Sequence, residues 1–278
     1  MAERQLTLPG EIVKKSNALA RAKWSPKSVW EPRMVALVAS MVRQDDEDFQ
    51  EYRFPAAKLC EEESLSGKRY RDIKTAVENV MKAYVMLEEG KNYMAYSIFS
   101  KCGYENGHMV AAFHPDLKPH FLGLQKQFTK YSLMEFLVLP STYSQRIYEV
   151  LKSWNDKPEV TIALADLHEM VGAPPSMRKK YPDFRRKVLE KAHKDINKHT
   201  ALSYEWHPIK QGRKIGAIRF VFSIPRKAET KKTNEVKAEK DRSAKDNRLF
   251  IKAGRCFKAG NCQPEDSNLC RFCKETFH

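Results

Sequence analysis

The sequence predicts an α+β fold made of two winged-helix domains, and three observations predict it. The same order of parts, a short helix, a turn, a longer helix and a strand pair, occurs twice in the 278 residues. In both longer helices the apolar residues fall on one face. In the strand pairs a turn containing glycine joins two apolar-rich runs. Helix, turn, longer helix and hairpin is the winged-helix arrangement. The expected layout is a first winged-helix domain over residues 1–130 and a second over 131–225, joined by a helical connector. A charged linker over 226–250 and a cysteine-rich tail over 251–278 complete it.

In the first unit, Phe54 to Glu63 reads as the short helix and Ser64 to Gly67 as the turn. The longer helix is expected from Lys68 to Glu88. Its apolar residues Tyr70, Ile73, Val77, Val80, Met81, Tyr84 and Leu87 span an arc of roughly 120° at 100° per residue. Arg71, Thr75, Asn79 and Lys82 lie opposite, together with Glu78. NYMAYSIFS and HMVAAF read as a strand pair around Asn106-Gly107. Ahead of this unit, Met34 to Val42 is apolar except for Ser40 and fits a core helix. Two stretches after it, from His114 to Pro140 and from Ser141 to Trp154, read as helical connectors.

In the second unit, Thr161 to Gly172 reads as the short helix and APPSMRKKYP as the turn. The longer helix starts at Pro182 or Asp183, since proline is favoured in a first turn. Its residues Phe184, Val188, Leu189, Ala192 and Ile196 cover an arc of about 140°. LSYEWHPI and KIGAIRFVFSI form the hairpin around Gln211-Gly212. Ile218, Phe220, Phe222 and Ile224 alternate along its second strand. From Arg226 to Arg248, nine Lys/Arg and five Asp/Glu leave almost nothing apolar, which fits a solvated linker.

Charge narrows the function. Lys and Arg number 50 against 35 Asp and Glu, a net charge of +15. That balance favours a polyanionic partner. No apolar run approaches the roughly 18 residues needed to span a bilayer, and the start, MAERQLTLPGE, lacks the apolar stretch of a signal peptide. A soluble cytoplasmic protein with no membrane partner is expected.

The second long helix is where the charge acquires a pattern. Lysine-rich faces are usually solvated faces, and that is the bland reading of Lys187, Lys191, Lys194 and Lys198. Three features favour DNA instead. The positive residues Arg178, Lys179, Lys180, Arg185, Arg186 and Lys187 concentrate around the helix N-terminus, the part that helix-turn-helix proteins set against bases and phosphates. The hairpin that follows has a basic tip, Lys210, Arg213 and Lys214. The whole chain is basic. Arginine can bond bidentately to guanine O6 and N7, whereas lysine acts as a point charge. Base readout is therefore assigned to Arg185 and Arg186, and phosphate positioning to the lysines, Lys191 and Lys194 among them. Arg186 lies opposite the core arc. Arg185 falls inside it, but in the first turn. Weaker contacts are expected from the first long helix, through Lys68, Arg69, Arg71, Thr75 and Lys82; Glu78 on the same face would repel phosphate.

Catalysis is not expected. An origin-nicking enzyme would pair a tyrosine nucleophile with a His-hydrophobic-His metal site, and the eight histidines form no such triplet. Tyr143 and Tyr148 share an expected helix without one. No GxxxxGK[ST] loop is present. Cys256, Cys262, Cys270 and Cys273 crowd the tail. Their thiolates could hold a structural Zn²⁺, the CxxC being a good half-site and the five-residue spacing a loose one. The competing reading is a tail with free thiols, and no cofactor is otherwise required.

Three stretches carry a resemblance: IVKKSNALARA (Ile12 to Ala22), FTKYSLMEFLVLPSTYSQRIYEVLKSW (Phe128 to Trp154) and YPDFRRKVLEKAHKDINKHTALSYEW (Tyr181 to Trp206). Across roughly residues 10 to 225 the chain resembles the initiator (Rep) proteins of theta-replicating, iteron-containing bacterial plasmids, the group that includes the F plasmid initiator. The resemblance implies two winged-helix domains. The second reads most of the iteron; the first adds DNA contacts and supplies a dimer interface. It also implies monomers that bind origin iterons and help melt adjacent A·T-rich DNA. Dimers, in equilibrium with them, bind an inverted-repeat operator and repress their own synthesis, which controls plasmid copy number. Host initiator and replicative helicase are the implied partners. The family's DNA-reading arginines carry over to Arg185 and Arg186 in DFRRK. Trp24-Ser25-Pro26 and Trp30-Glu31-Pro32 depart from the plainer helix start the family leads one to expect. A dedicated transcriptional repressor with the same two domains is the alternative.

Overall fold

The computed structural model describes residues 11–43, 46–59 and 67–222. The chain opens with strand β1 (Ile12–Ser16) and a short helix α1 (Asn17–Arg21), whose first turn is capped by the Ser16 hydroxyl accepting from the Leu19 N–H. Helix α2 (Trp30–Met41) is buried along nearly its whole length, as its apolar composition requires. The buried Glu31 carboxylate accepts the backbone N–H groups of Lys27 and Ser28, closing the turn ahead of it. Strand β2 (Tyr52–Pro55) runs into a 3₁₀ turn over Ala56–Leu59. Helix α3 (Gly67–Lys82) follows, then strands β3 (Tyr84–Glu89), β4 (Asn92–Ser97), β5 (Phe99–Glu105) and β6 (His108–Phe113). Beyond a 3₁₀ turn over Pro115–His120 come strand β7 (Phe128–Ser132) and helices α4 (Leu133–Leu137) and α5 (Thr142–Lys152).

The second unit comprises strand β8 (Glu159–Ala163) and helices α6 (Leu164–Met170), α7 (Pro175–Arg178) and α8 (Tyr181–Phe184). A π-helical segment, Arg185–Glu190, continues α8 directly into α9 (Lys191–His199). Strands β9 (Tyr204–Gln211) and β10 (Lys214–Phe222) close it.

The two sheets share one topology. In β2–β6–β5 and in β8–β10–β9 the leading strand pairs antiparallel with the last strand of the following hairpin. Both units are thus winged helices, as the repeated order of parts predicts. The first carries an additional hairpin, β3–β4, between its long helix and its wing. Asn106 (φ 47°) and Gly107 (φ 82°) supply the left-handed turn that joins β5 to β6. Strand β1 pairs with β7, which brings the first and second resemblance-carrying stretches side by side.

Several expected boundaries shift. The first long helix stops at Lys82 rather than Glu88, because Tyr84 to Glu89 pairs with β4; Tyr84 and Leu87 therefore belong to a strand and not to the helix face. Its core contacts narrow to Ile73, Ala76 and Val80, with Tyr70 and Met81 exposed. NYMAYSIFS divides, Asn92–Ser97 pairing with β3 and Phe99–Glu105 with β6. Phe54 and Pro55, expected to be helical, lie in β2, and Thr161 to Ala163 in β8. The first connector is not wholly helical, since Phe128–Ser132 is a strand, and the boundary expected after residue 130 falls inside it. Ser64 to Ser66 of the expected turn, Ile224, the charged linker and the cysteine-rich tail lie outside the described residues.

Buried apolar side chains form one continuous cluster from Val13 to Phe220. Helix α5 sits at its centre, packing on α1 and β7 on one side and α9 on the other. It supports the helix that carries the candidate site.

Candidate nucleic-acid interface

The helix from Tyr181 to His199 is anchored as its periodicity requires. Phe184, Val188, Leu189, Ala192 and Ile196 are at most 1% exposed. Pro182 sits in the first turn, where its missing N–H leaves no bond unmade. The π-helical segment changes what the first turns present. It carries one extra residue per turn, so Glu190, five residues on, comes beneath Arg185, and the Arg185 Nε donates to the Glu190 Oε1 at 2.8 Å. The same guanidinium lies 6.0 Å over the Trp206 ring of β9. Arg185, placed on the apolar arc by a regular wheel, is therefore a surface residue with a 56% exposed side chain. Arg186 is 71% exposed, with Asp183 Oδ1 3.4 Å away.

Lys179, Lys180, Lys187, Lys191 and Lys194 are exposed, and among the described residues no carboxylate pairs with them. Lys210, Arg213 and Lys214 are exposed at the hairpin tip, where Gly212 takes up a φ of 64°. These groups form a cationic surface on which two arginines are already matched with carboxylates and the lysines are not. Arg178 behaves differently from the expectation. Its Nε donates to the Ala173 carbonyl at 2.5 Å and its Nη1 pairs with Glu169, so it braces the turn between α6 and α7.

On α3 of the first unit, Lys68, Arg71, Thr75 and Lys82 are exposed, as is Glu78. Arg69 is half-buried, its guanidinium 5.4 Å over the Trp30 ring. Asn79 turns its amide to Glu31 at 3.4 Å. The four cysteines Cys256, Cys262, Cys270 and Cys273 lie outside the described residues.

Sequence reasoning missed a buried ionic cluster beneath these surfaces. Glu149 of α5 is 2% exposed and accepts from three donors: Lys15 Nζ, Arg146 Nη1 at 2.5 Å and the Tyr131 hydroxyl at 2.6 Å. Burial alone would raise the Glu149 pKa; the Lys15 and Arg146 charges outweigh it and hold the carboxyl below its usual range. Burial also depresses the Lys15 ammonium. Arg146 reaches further, its Nη2 donating to the Ala22 carbonyl at 2.8 Å and its Nε to the Met170 carbonyl at 3.1 Å. An Arg-x-x-Glu pair on a helix ordinarily marks a solvated face. The available clue was that its neighbours Ile147, Tyr148, Val150 and Leu151 leave α5 without a polar side.

Tyr148, one of the two tyrosines weighed as a nucleophile, is fully buried, and its hydroxyl donates to Glu135 Oε2 at 2.7 Å. Burial, then that bond, push its pKa far up, the opposite of what attack on a phosphodiester needs.

Comparison with known proteins assigns both halves. The family described as "Initiator Replication protein, WH1" matches residues 12–152, and "Initiator Rep protein, WH2" matches residues 163–222. The PI protein of Escherichia coli is 28% identical over 137 residues, which cover 43% of this chain and 45% of that protein, so the match spans about half of the relative's length. Among solved structures, selenomethionine-substituted domains 2 and 3 of RctB align with a TM-score of 0.41 at 9% identity, over 70% of this chain and 80% of that one.

Proposed function

The chain belongs to the family of plasmid replication initiators built on two winged-helix domains, and from that premise we propose that it binds double-stranded origin DNA by sequence. The observation that carries the proposal is the surface formed by the Tyr181–His199 helix and the β9–β10 tip. Arg185 and Arg186 project beside a lysine flank that makes no ion pair with a described carboxylate. The arginines read base edges in the major groove, while Lys179, Lys180, Lys187, Lys191, Lys194 and the wing residues Lys210, Arg213 and Lys214 hold phosphates. The first unit adds contacts through Lys68, Arg71, Thr75 and Lys82. Footprinting on the plasmid's own origin tests this. Protection repeating once per iteron is expected, and equal affinity for origin and random duplex at the same salt would overturn it.

In the same reading, bound monomers strain the neighbouring A·T-rich DNA and bring in host initiator and replicative helicase, and dimers repress the chain's own synthesis at an inverted repeat. The β3–β4 hairpin supports the dimer. It presents Tyr84, Tyr93 and Met94 at 56%, 68% and 59% exposure. Its outer strand, β4, pairs only with β3 among the described residues, leaving an edge for a second copy. Met94→Glu should shift sedimentation towards monomer, and unchanged dimerisation would exclude the hairpin. The reading requires no catalytic group and no cofactor for DNA binding, and it places the chain in the cytoplasm, where the origin is. No helix among the described residues is long and apolar enough to cross a membrane. A structural Zn²⁺ on Cys256, Cys262, Cys270 and Cys273 remains a separate proposal, decided by metal stoichiometry after purification without chelators.

A further inference from the structure

Two winged helices on one chain can read DNA as independent modules on a tether or as a single rigid ruler, and the contacts between them distinguish the cases. The covalent link is only partly held: between α5 and β8, Ser153 and Trp154 are gripped by Arg21, and residues 155–158 are exposed. The non-covalent link is dense. The segment from Ala20 to Ser25 is fixed to the first unit by paired backbone bonds between Lys23 and Met86, at 3.2 and 3.1 Å. It is fixed to α5 by Arg146, which bonds the Ala22 carbonyl and, with the same guanidinium, the Met170 carbonyl of the second unit. At its end, Ser25 Oγ donates to the Gly172 carbonyl at 3.3 Å.

Gly172 shows how closely the two units approach. It terminates α6 at a φ of 65°, and a Cβ there would lie 2.6 Å from the Ser25 Cα and 2.8 Å from the Trp24 carbonyl oxygen. Backbone meets backbone at a distance no side chain fits. On the other side of α5, Ser144 Oγ donates to Asp195 Oδ2 of α9 at 2.6 Å, and Glu135 accepts the Ala201 N–H at 3.1 Å. The Tyr181–His199 helix is thereby tied to α5, and α5 through Glu149 and Lys15 to β1.

We propose that the Ala20–Ser25 strap, clasped by Arg146 and seated on Gly172, fixes the two DNA-binding units at one spacing, so that the chain measures the separation of two half-sites as well as reading them. Arg146 and Gly172 are positioning residues that touch no DNA. The proposal rests on both units contacting DNA, as set out above.

The test uses the full chain and the site that footprinting defines. A four-residue Gly-Ser insertion after Lys157 lengthens the exposed link without touching the clasp. Five base pairs inserted between the half-sites turn one of them about half a helical turn away. The insertion variant should match the parent on the intact site. Both should lose roughly 100-fold on the spaced site, the scale of gain that joint engagement supplies. Adding Gly172→Ala to the insertion variant should lower affinity for the intact site about 10-fold or more while making the two sites equal within about threefold. Binding to the second unit's half-site alone should be unchanged.

If the linker insertion by itself abolishes the spacing preference, the tether sets the spacing and the proposal is wrong. It is equally wrong if the Gly172→Ala chain keeps the parental preference. Should the Gly172 variant fail to fold, the insertion alone decides. If the parent binds the intact site no better than the half-site, it is DNA contact by the first unit that fails. Small-angle scattering without DNA then judges the clasp, an unchanged profile on linker insertion supporting it and an expanded one refuting it.

Discussion

Replacing Arg186 by Ala separates reading from anchoring when set against Lys191→Ala. In the free chain Arg186 is 71% exposed and its contact is Asp183, 3.4 Å away and one helical turn back. An exposed pair of that kind contributes about 0.5 kcal/mol or less, so folding stability should change by no more than about 0.5 kcal/mol. The loss on DNA is of another size. A bidentate arginine–guanine contact discriminates by about 1–3 kcal/mol, roughly five- to 150-fold in affinity at one base pair. Lys191 is exposed, stands on the lysine flank and makes no ion pair with a described carboxylate. Its removal should weaken every duplex alike and reduce the slope of log affinity against log salt by about 0.9. Anisotropy titrations of both variants on the protected site, on its single-base substitutions and on random duplex, each at several salt concentrations, give the two patterns. An Arg186→Ala chain that loses equally on all sequences, with an unchanged order of preference at every position, would refute the readout assignment.

Other outcomes follow from the same geometry. Glu149→Gln leaves Lys15 and Arg146 buried without a countercharge and should cost about 3–5 kcal/mol in urea unfolding; a loss under about 1 kcal/mol would show that the cluster is not ionic in the folded chain. Because the folded pKa of Glu149 lies below its ordinary value of 4.5, its stabilisation is present above that pH and lost as pH falls through the lower folded value. His168 acts in a nearer-neutral window. Burial first, then the Arg178 charge, depress its pKa below 6.5, so folding favours the neutral ring. That contribution is present above pH 6.5 and is lost as pH falls through the depressed value. The melting temperature should therefore decline on acidification below pH 6.5, and His168→Gln should flatten the decline; a parallel curve for the variant excludes His168 as the source. Asp183→Asn should raise affinity for random duplex more than for the protected site, narrowing the specificity ratio, and a widened ratio would count against a selective role for the Arg186–Asp183 pair.

How much was legible in the sequence depended on whether neighbours or distant partners set the structure. Phe184, Val188, Leu189, Ala192 and Ile196 were legible because one helix places them, and all five are buried. The Asn106-Gly107 turn was legible for the same reason, the left-handed backbone of a tight hairpin being a local demand. Strands β2 and β8 were not. Each is four or five residues long, runs straight into helical structure and is extended only because the last strand of a distant hairpin pairs with it, Tyr52 with Ala111 and Ile162 with Ile218. The end of α3 was lost similarly: Tyr84 and Leu87 continue a helical spacing that the pairing of β3 with β4 overrides. The ionic cluster was hidden by residue type, since lysine, arginine and glutamate read as surface until their partners come from β1, β7 and α5 at once.

The π-helical segment turns one of those misreadings into a statement about selectivity. A regular helix would stack Arg185 over Leu189 and towards the core. The wider turn brings Glu190 beneath it and leaves its fork at the surface, while Asp183 stands one turn before Arg186. Each arginine is thus ion-paired with a carboxylate, whereas the lysines of the flank make no such pair among the described residues. Against a bare phosphate the carboxylates matter twice: the arginine must give up its partner, and the partner then faces an anion. A guanine edge carries no net charge and offers two acceptors, so it compensates the lost pair without that repulsion. Lysines attract any duplex, while arginines held by Asp183 and Glu190 favour a duplex with a base edge in the right place. Specificity is a difference of affinities, and groups that penalise the wrong partner contribute to it as directly as those that bind the right one.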